Sequence, residues 1–402
     1  MIDPAGFGPS TEVGFAAAAS RHPEAAVATA EVIGAIEERL GGPPSLVVLF
    51  ASGAMVEPLA EVVDAVQTLL NPDVLVGGTA VGVLAGGEEI EQGDALAAWA
   101  ATGVRAQPVR LQGLPGPLVA GVPRTLAPGS TLAVLADPYT LAVDALFEQV
   151  AADQPSVAIV GGLASAPGGH GSNRLILDDT IYDDGAVGFI LEPGVARPVV
   201  SQGCRPIGEP WVITEAEGQL VRALGGRPAL ERLTELIEAL PEEDRAAAAR
   251  GLHAGLVANH HRERFDQGDF LIRAVLGADR NSGAVAIGDR VEIGQVLQFQ
   301  VRDADSADRE LARLLGSEPA EAALVFTCNG RGTHMFAEPH HDAALISEVY
   351  GPAVAGMFCA GELGPIADRN AVHGFTATVL AFGGEPAGDH GPPPVSDAPE
   401  PT

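Results

Sequence analysis

Three cysteines lie in glycine-containing segments of the sequence, and their chemistry depends on those surroundings. Cys204 is in SQGCRPIG, Cys328 is in FTCNGRG and Cys359 is in MFCAGELGP. Each could be a nucleophile, a metal ligand or a small packed side chain. Because the count is odd and no CxxC pair occurs, we expect neither a disulfide nor structural zinc. The glycines and prolines around Cys204 and Cys359 indicate backbone-shaping turns, which favours packing over a reactive thiol.

Arg331 follows a predicted strand in the segment FTCNGRGTHMF. We expect Cys328 to end that strand, and Asn329 and two glycines to form a turn from which Arg331 projects. An arginine beside exposed backbone N–H groups is a good receptor for a carboxylate or a phosphate. The alternative is an arginine that pairs with a structural acid.

Glu362 and His373 belong to the neighbouring segments CAGELGPI and NAVHGFTA. We expect a turn at Gly364–Pro365 and a final strand over 371–382. Together with Cys328 or Cys359 and with Asp342, these residues permit a Cys/His/acid catalytic site. A structural hydrogen bond is the more usual role of a single histidine after a turn, and it is the interpretation that we favour for His373.

Two glycine pairs each follow a short Val-rich run. A glycine pair at the carboxyl end of a buried strand can turn backbone N–H groups toward a crevice, where ligands bind in open parallel sheets. The alternative is that glycine permits a bend or close packing. Because neither pair belongs to a Walker loop or a GxGxxG motif, we expect no nucleotide cofactor, and no other cofactor either. The candidate residues are Gly77, Gly78 and Thr79, and Gly161 and Gly162.

Two histidine pairs, His260–His261 and His340–His341, raise the question of a metal site. Neighbouring residues on a helix or a strand point in different directions, so such a pair does not chelate one ion. The second pair, in EPHHDAA, has the pattern of a helix start, with Pro339 near the first turn. We therefore expect no bound metal.

The composition limits the class of protein. The 402 residues are 47% hydrophobic and only 4% aromatic, and the net charge is −30. All 23 basic residues are arginines, against 53 acidic residues. A surface this acidic repels nucleic acid and anionic membranes, so we expect neither as a partner. With no secretory signal and no long apolar run, a reducing cytoplasm is the expected compartment.

A strand–helix–strand pattern recurs along the chain. The runs SLVVLF, TLAVLAD and AALVFTCNG are each followed by a helical segment and then by a second Val-rich run that reaches glycine. The spacing of about 30 residues is that of a βαβ unit. We predict a mixed α/β fold in two related halves, with additional antiparallel strands. The runs ending at Gly77–Gly78, Gly161–Gly162 and Gly356 should be equivalent strands.

Other segments complete the predicted organisation. Helices are expected over 22–40 and 303–316, a helix pair broken at Pro241 over 227–251, and a hairpin turning at Glu217–Gly218. We divide the chain into an N-terminal segment (1–24), a first domain (25–216), a second domain (217–383) and a Pro/Gly-rich disordered tail (384–402).

The sequence resembles the FIST proteins, a family named for F-box and intracellular signal transduction. The resemblance covers roughly residues 25–383. It depends on many motifs in one order, among them LVGGTAVGVLAG, SQGCRPIGEPWVITEAEG, VEIGQVLQFQVRDADSADREL, FTCNGRG, AGMFCAGELGPI and VHGFTATVL. Here 25–216 would be the FIST N-type domain and 217–383 the FIST C-type domain.

The resemblance implies a sensory role in which the protein binds a small metabolite, with amino acids among the candidates. It supplies no catalytic residues. No output domain is visible, so we expect a stand-alone unit that signals through a partner protein. From the residues we expect the C-terminal motifs to converge, with Arg331 binding the ligand's carboxylate and Glu362 its ammonium group, beside Cys328, Asn329 and His373. An enzyme using Cys328, His373 and Glu362, and a scaffold without a small-molecule site, are the alternatives.

Overall fold

A computed structural model describes residues 13–258, 265, 267–367 and 369–383 of the chain. The predicted tail over 384–402 and the His260–His261 pair lie outside these residues. Three units with one strand pattern account for most of the fold, and an antiparallel barrel is inserted into the third.

The first unit shows the pattern completely. Its sheet contains a central parallel pair, β2 and β3, joined by α2, and β6 and β1 extend the sheet antiparallel on one side. Its elements are β1 (Gly14–Ser20), α1 (Ala25–Leu40), β2 (Leu46–Ser52), α2 (Leu59–Leu69), β3 (Val74–Ala80), β4 (Val83–Ala85), β5 (Glu88–Ile90) and β6 (Ala95–Thr102).

The second unit repeats this order. The strands β9 and β10 form its parallel pair, joined by α3, and β13 and β7 continue the sheet antiparallel. Its elements are β7 (Ala106–Leu114), β8 (Leu118–Ala120), β9 (Thr131–Ala136), α3 (Val143–Asp153), β10 (Ala158–Leu163), β11 (Leu175–Leu177), β12 (Thr180–Tyr182) and β13 (Ala186–Leu191).

The third unit begins with β14 (Ala196–Gln202), after which the chain leaves to form the barrel. In the barrel, β22, β16, β17, β21, β20 and β19 pair in that order, and a further β22–β19 pairing closes the ring. The inserted elements are β15 (Cys204–Pro206), β16 (Trp211–Glu217), β17 (Leu220–Leu224), β18 (Arg227–Pro228), α4 (Ala229–Ala239), α5 (Glu242–Arg250), β19 (Leu252–Val257), β20 (Phe270–Asp279), β21 (Ala284–Ile287) and β22 (Val296–Arg302).

After the barrel, the third unit is completed. The strands β23 and β24 form its parallel pair, joined by α7, and β27 and β14 flank it antiparallel. Its elements are α6 (Ala304–Leu315), β23 (Ala322–Cys328), α7 (His341–Tyr350), β24 (Val354–Cys359), β25 (Glu362–Ile366), β26 (Arg369–His373) and β27 (Thr376–Phe382).

Exchanged hairpins tie the three units into a closed ring. The hairpin β4–β5 of the first unit pairs with β24 of the third, and β11–β12 of the second pairs with β3 of the first. The hairpin β25–β26 of the third unit pairs with β10 of the second. The ring shares one core, in which Phe50, Leu135 and Phe326 come from the three equivalent strands β2, β9 and β23. Each unit therefore depends on another for the edge of its sheet.

The predicted equivalence of the three glycine-containing strands is confirmed. Gly77, Gly161 and Gly356 lie opposite Leu49, Val134 and Val325 in the parallel pairs, and a Cβ on each glycine would overlap the carbonyl oxygen of its partner. The expectation that the glycine pairs form turns at strand ends is wrong. They lie inside β3 and β10, where they allow close approach of the backbones.

This close approach makes Gly356→Ala destabilising. We expect a loss of about 1–3 kcal/mol in the free energy of unfolding, because the methyl group must push β24 away from β23. Gly34→Ala is the control. Gly34 is an exposed position inside α1 where an added Cβ would meet no atom within 4 Å, so alanine should stabilise by about 0.5–1 kcal/mol. Urea denaturation measures both variants, and equal stability of Gly356→Ala and wild type would contradict the packing argument.

The predicted fold class is confirmed as mixed α/β, with repeated strand–helix–strand units and added antiparallel strands. The helices over 22–40, 227–251 and 303–316, the break at Pro241 and the hairpin at Glu217–Gly218 are also present. Two local predictions are wrong. Gly364 and Pro365 lie within β25, and the predicted final strand is divided into β26 and β27 by a turn at Gly374–Phe375. No helix of the described residues combines the length and the apolarity needed to cross a membrane.

Candidate ligand-binding site

Arg331 is completely buried and forms a two-pronged ion pair with Asp342. Its Nε donates to Oδ2 and its Nη2 to Oδ1 of that carboxylate, both at 2.7 Å. Asp342 stands in the first turn of α7, and Thr327 Oγ1 also donates to it at 2.8 Å. Although burial alone would raise the pKa of Asp342, the Arg331 charge outweighs it and holds the pKa well below its ordinary value. The second interpretation of Arg331, pairing with a structural acid, describes this arrangement.

Glu362 begins β25 and is also fully buried. Its Oε2 accepts hydrogen bonds from Thr376 Oγ1 at 2.7 Å and from Thr376 N at 3.3 Å. Its Oε1 has no hydrogen-bond partner within the described part of the chain. Burial raises the pKa of Glu362 to about 8, against the opposing effect of the hydrogen bonds from Thr376. The carboxyl group is therefore mostly protonated at pH 7.

Cys328 lies beside Glu362 at the end of β23, and burial, with a smaller contribution from Glu362, raises the pKa of its thiol to about 12. His373 pairs in register with Glu362, but its Nε2 is 3.0 Å from the carbonyl oxygen of Gly364. Burial lowers the pKa of His373 to about 4. A thiol this weakly acidic is a poor nucleophile, and the histidine faces a carbonyl oxygen, so this geometry does not favour the Cys/His/acid interpretation.

The remaining predicted site residues divide between two sheets. Gly162 is the register partner of Glu362, and it packs against Cys359 and Phe326. Asn329 is exposed on the turn after β23. Gly161 lies with Gly162 in β10, whereas Gly77, Gly78 and Thr79 lie in β3 of the first unit. The structure thus brings Cys328, Arg331, Glu362, Gly162 and His373 into one region and leaves the β3 residues in another.

The thiols of Cys204 and Cys359 are buried, and all three cysteines are free. The His340–His341 pair does not share a ligand. His340 Nδ1 accepts from the Glu89 backbone N–H at 2.9 Å, whereas the His341 ring lies between Asp308 and Asp342. Among the described residues, no group of three or more His, Cys, Asp or Glu side chains has the geometry of a metal site.

Phe375 has a strained backbone in the β26–β27 turn. Its φ of 61° is in the left-handed region, which costs roughly 1–2 kcal/mol for a residue with a Cβ. The turns before β6 and β13 have this conformation at Gly93 and Gly185 instead. The Phe375 carbonyl oxygen accepts from Arg331 Nη1 at 3.3 Å. The strain is therefore held by contacts of the third unit.

A cavity of about 270 Å³ lies between the barrel and the third unit. Its walls come from β15 and the end of β22, from α5, from the start of α6, and from His334 and Met335 after β23. The charged residues that line it are Arg205, Arg250, Arg302, Glu243, Asp303 and Asp305. We call this space the arginine-lined cavity.

Ion pairs between residues of the protein neutralise some of the charges that line the arginine-lined cavity. Arg205 pairs with both Asp303 and Asp244. The guanidinium of Arg302 lies 5.1 Å from the centre of the Phe375 ring, and its Nη2 donates to the Arg250 carbonyl oxygen at 3.3 Å. The side chains of Arg250, Arg302, Glu243 and Asp305 therefore present charges of both signs to the cavity.

Sequence reasoning missed this cavity, although two of its arginines lie in the motifs already noted. Arg205 follows Cys204 in SQGCRPIG, and Arg302 ends the run QVLQFQVR just before a predicted helix. A charged residue between a buried strand and a capped helix was the available signal. Because Arg205 and Arg302 are almost a hundred residues apart in the sequence, no local pattern predicts that both line one cavity.

Two family models match consecutive parts of the chain. The FIST N domain matches residues 45–227 and the FIST C domain matches residues 229–365. The boundary between the two matches falls at the start of α4, inside the inserted segment of the third unit.

Mycobacterial proteins are similar to this chain over almost their whole length. "Uncharacterized protein Mb0898c" of Mycobacterium bovis is 42% identical over 373 residues, which cover 90% of this chain and 96% of that protein. "Uncharacterized protein Rv0628c" of Mycobacterium tuberculosis is 40% identical over 356 residues, which cover 86% of this chain and 93% of that protein.

Proposed function

Because the chain belongs to the FIST family, whose domains are associated with sensory and signal-transduction roles, we propose that it is a sensor of a small metabolite that binds in the arginine-lined cavity. The observation that carries this proposal is a half-open cavity of about 270 Å³ with charged walls between the barrel and the third unit. Ligand sites commonly form between domains, and this volume is just below their usual range of roughly 300–1,000 Å³. The ligand is therefore small, and its signal passes to a separate partner protein.

The pattern of charges supports an amino-acid-like ligand. Arg302 and Arg250 can bind a carboxylate, and the planar guanidinium does so with two parallel hydrogen bonds. Asp305 and Glu243, which line the same cavity, can accept hydrogen bonds from an ammonium group. A zwitterion satisfies both pairs, whereas a simple anion leaves the two carboxylates facing it.

A thermal-shift screen of the full chain against amino acids and small carboxylates tests the proposal. A ligand that binds only the folded protein stabilises it by about 2.7 kcal/mol at a hundred times its dissociation constant. We expect at least one zwitterionic amino acid to raise the melting temperature more than its decarboxylated and deaminated analogues. A screen in which no such compound shifts the melting temperature would contradict the proposal.

Arg302→Gln should weaken binding of the ligand found in this way by roughly tenfold to more than a hundredfold. Removal of a charge-assisted hydrogen bond costs about 1.5–3 kcal/mol. Arg280→Gln is the matched control, because Arg280 lies in an exposed turn between β20 and β21, outside the cavity lining. Isothermal titration calorimetry measures both variants. Equal affinities of Arg302→Gln and wild type would show that the ligand binds elsewhere.

A further inference from the structure

The ring of Phe375 lies between Arg302, which lines the arginine-lined cavity, and Gly330, which lies in the turn after β23 beside Cys328. On the cavity side, the guanidinium of Arg302 lies over the ring, and the His253 ring meets it edge to face at 4.6 Å between centres. On the inner side, the ring packs against Gly330, where a Cβ would stand 2.6 Å from the ring and 3.8 Å from Cys328 Sγ. The ring therefore lies close to Cys328, a residue of intermediate exposure.

Open space lies beside the turn that carries Phe375. A Cβ on the preceding residue, Gly374, would meet no atom within 4 Å. The left-handed backbone of Phe375 is a strained conformation for a bulky residue, and such conformations cluster at ligand clamps and switches. Release of the ring from Gly330 would open the cavity toward Cys328 and Glu362.

The three-unit ring provides an internal comparison for Glu362. Glu362 pairs with Gly162 of β10, and the equivalent residues of the other exchanged hairpins are Leu175, opposite Gly78, and Val83, opposite Met357. Both equivalents are buried and aliphatic. The fold therefore does not need a carboxyl group at this position, and Glu362 carries a buried oxygen without a partner among the described residues.

We propose that Cys328, Glu362 and Thr376 form an inner subsite, opened by Phe375, that binds a neutral hydrogen-bond acceptor such as a carboxamide. Glu362 Oε2 accepts from Thr376, and Oε1, on a carboxyl that also interacts with the Cys328 thiol, would carry the proton and donate it to the ligand's carbonyl oxygen in place of that interaction. This inference rests on the proposed function for the outer part of the ligand. It extends the ligand class to amino-acid-like molecules with an amide or carbonyl group.

Alkylation of Cys328 by iodoacetamide measures the opening directly. The thiol sulfur displaces iodide and forms a C–S bond, and iodide and a proton are released. In the folded wild type we expect slow labelling because burial keeps the thiol protonated and the Phe375 ring lies close to it. In Phe375→Ala we expect labelling at least about tenfold faster, which corresponds to a shift of about 1.4 kcal/mol in the opening equilibrium. Phe375→Gly, which removes the left-handed strain, is the second variant and should behave in the same way.

The buried thiols of Cys204 and Cys359 are controls within the same molecule, and mass spectrometry of peptides distinguishes all three. Equal acceleration at all three cysteines would show general unfolding and overturn the proposal, as would unchanged labelling of Cys328. Phe147→Ala is a matched truncation. Phe147 is buried in α3 of the second unit, and its loss should leave the labelling of Cys328 unchanged.

Acetamide tests the chemistry of the subsite. In Phe375→Gly, acetamide should slow the labelling of Cys328, and the additional change Glu362→Leu should abolish this protection. Protection that persists in Glu362→Leu would overturn the role of Glu362. These readouts do not involve Arg302, so a failure of the outer ligand site and a failure of the inner subsite give different results.

Discussion

Arg331→Ala should lose about 3–5 kcal/mol in the free energy of unfolding, one of the largest effects of any single substitution in this protein. The substitution leaves the Asp342 carboxylate buried and without its guanidinium partner. The side chains of both residues are at most 1% exposed, so solvent cannot compensate the charge. Urea denaturation measures the loss. Titration of the surviving folded protein should show an unchanged affinity for the ligand.

Two comparisons separate the buried pair from an ordinary ion pair. Arg331→Met combined with Asp342→Leu should recover most of the lost stability, because no unpaired charge then stays buried. Arg227→Ala removes an exposed arginine that pairs with Glu231 and Glu235, and it should change the free energy of unfolding far less than Arg331→Ala does, because water screens the exposed charges. A variant Arg331→Ala that keeps wild-type stability but binds the ligand weakly would contradict this account and restore Arg331 as a ligand-binding residue.

The sequence predicts local structure well because local structure depends on neighbouring residues. The helix over Ala304–Leu315 begins where the Asp303 side chain accepts from Ser306 N, as its capping sequence indicates. The strand–helix–strand units follow in the same way from short Val-rich runs. By contrast, the exchange of hairpins between units and the closure of the barrel join strands that are distant along the chain. No local pattern specifies which of several apolar edges a hairpin covers.

The candidate site also depends on contacts that no local sequence pattern predicts. The sequence identified Arg331 and Glu362 as charged residues near glycine turns, and it left open whether Arg331 pairs with a structural acid. The partner, Asp342, stands eleven positions further along the chain, and only the turn after β23 and the start of α7 bring the two together. Phe375 was not predicted as a strained residue, because a left-handed backbone is expected of glycine, and Gly374 precedes it.

Glu362→Gln should remove a pH dependence from the stability of the protein. The pKa of Glu362 is raised from 4.5 to about 8, first by burial. The folded protein therefore holds a proton that the unfolded chain releases between these two values. The contribution of Glu362 to stability is complete below pH 4.5 and is lost as the pH rises to about 8, at no more than about 1.4 kcal/mol per pH unit. The charged and titratable groups that act on it are Arg331, Cys328 and Cys359.

Urea denaturation of wild type and Glu362→Gln at pH 5 and pH 8.5 measures this contribution. The free energies of unfolding of the two proteins should be similar at pH 5. At pH 8.5 the free energy of unfolding of Glu362→Gln should be larger than that of wild type by several kcal/mol. Burial also raises the pKa of Glu89 to about 7. Because Glu89 is present in both proteins, its contribution cancels in the difference between their free energies of unfolding. Glu89→Gln is the control. The difference in free energy of unfolding between this variant and wild type should reach its full value near pH 7. A Glu362→Gln difference that is equal at both pH values would contradict the protonated state of Glu362.

Glu362→Leu extends the test to the reason why a carboxyl group occupies this position. Leu175 and Val83 fill the equivalent positions of the other two exchanged hairpins, so leucine should be accommodated and should give at least wild-type stability at pH 8.5. Its cost is that the Thr376 hydroxyl, and more weakly the Thr376 backbone N–H, lose their acceptor, at about 1–3 kcal/mol for a buried donor, and the removal of a buried charge at that pH offsets this cost. A stable Glu362→Leu protein that no longer binds the ligand's neutral group would show that the carboxyl serves binding and not folding. Strong destabilisation at pH 8.5 would instead assign Glu362 to the folding of the third unit.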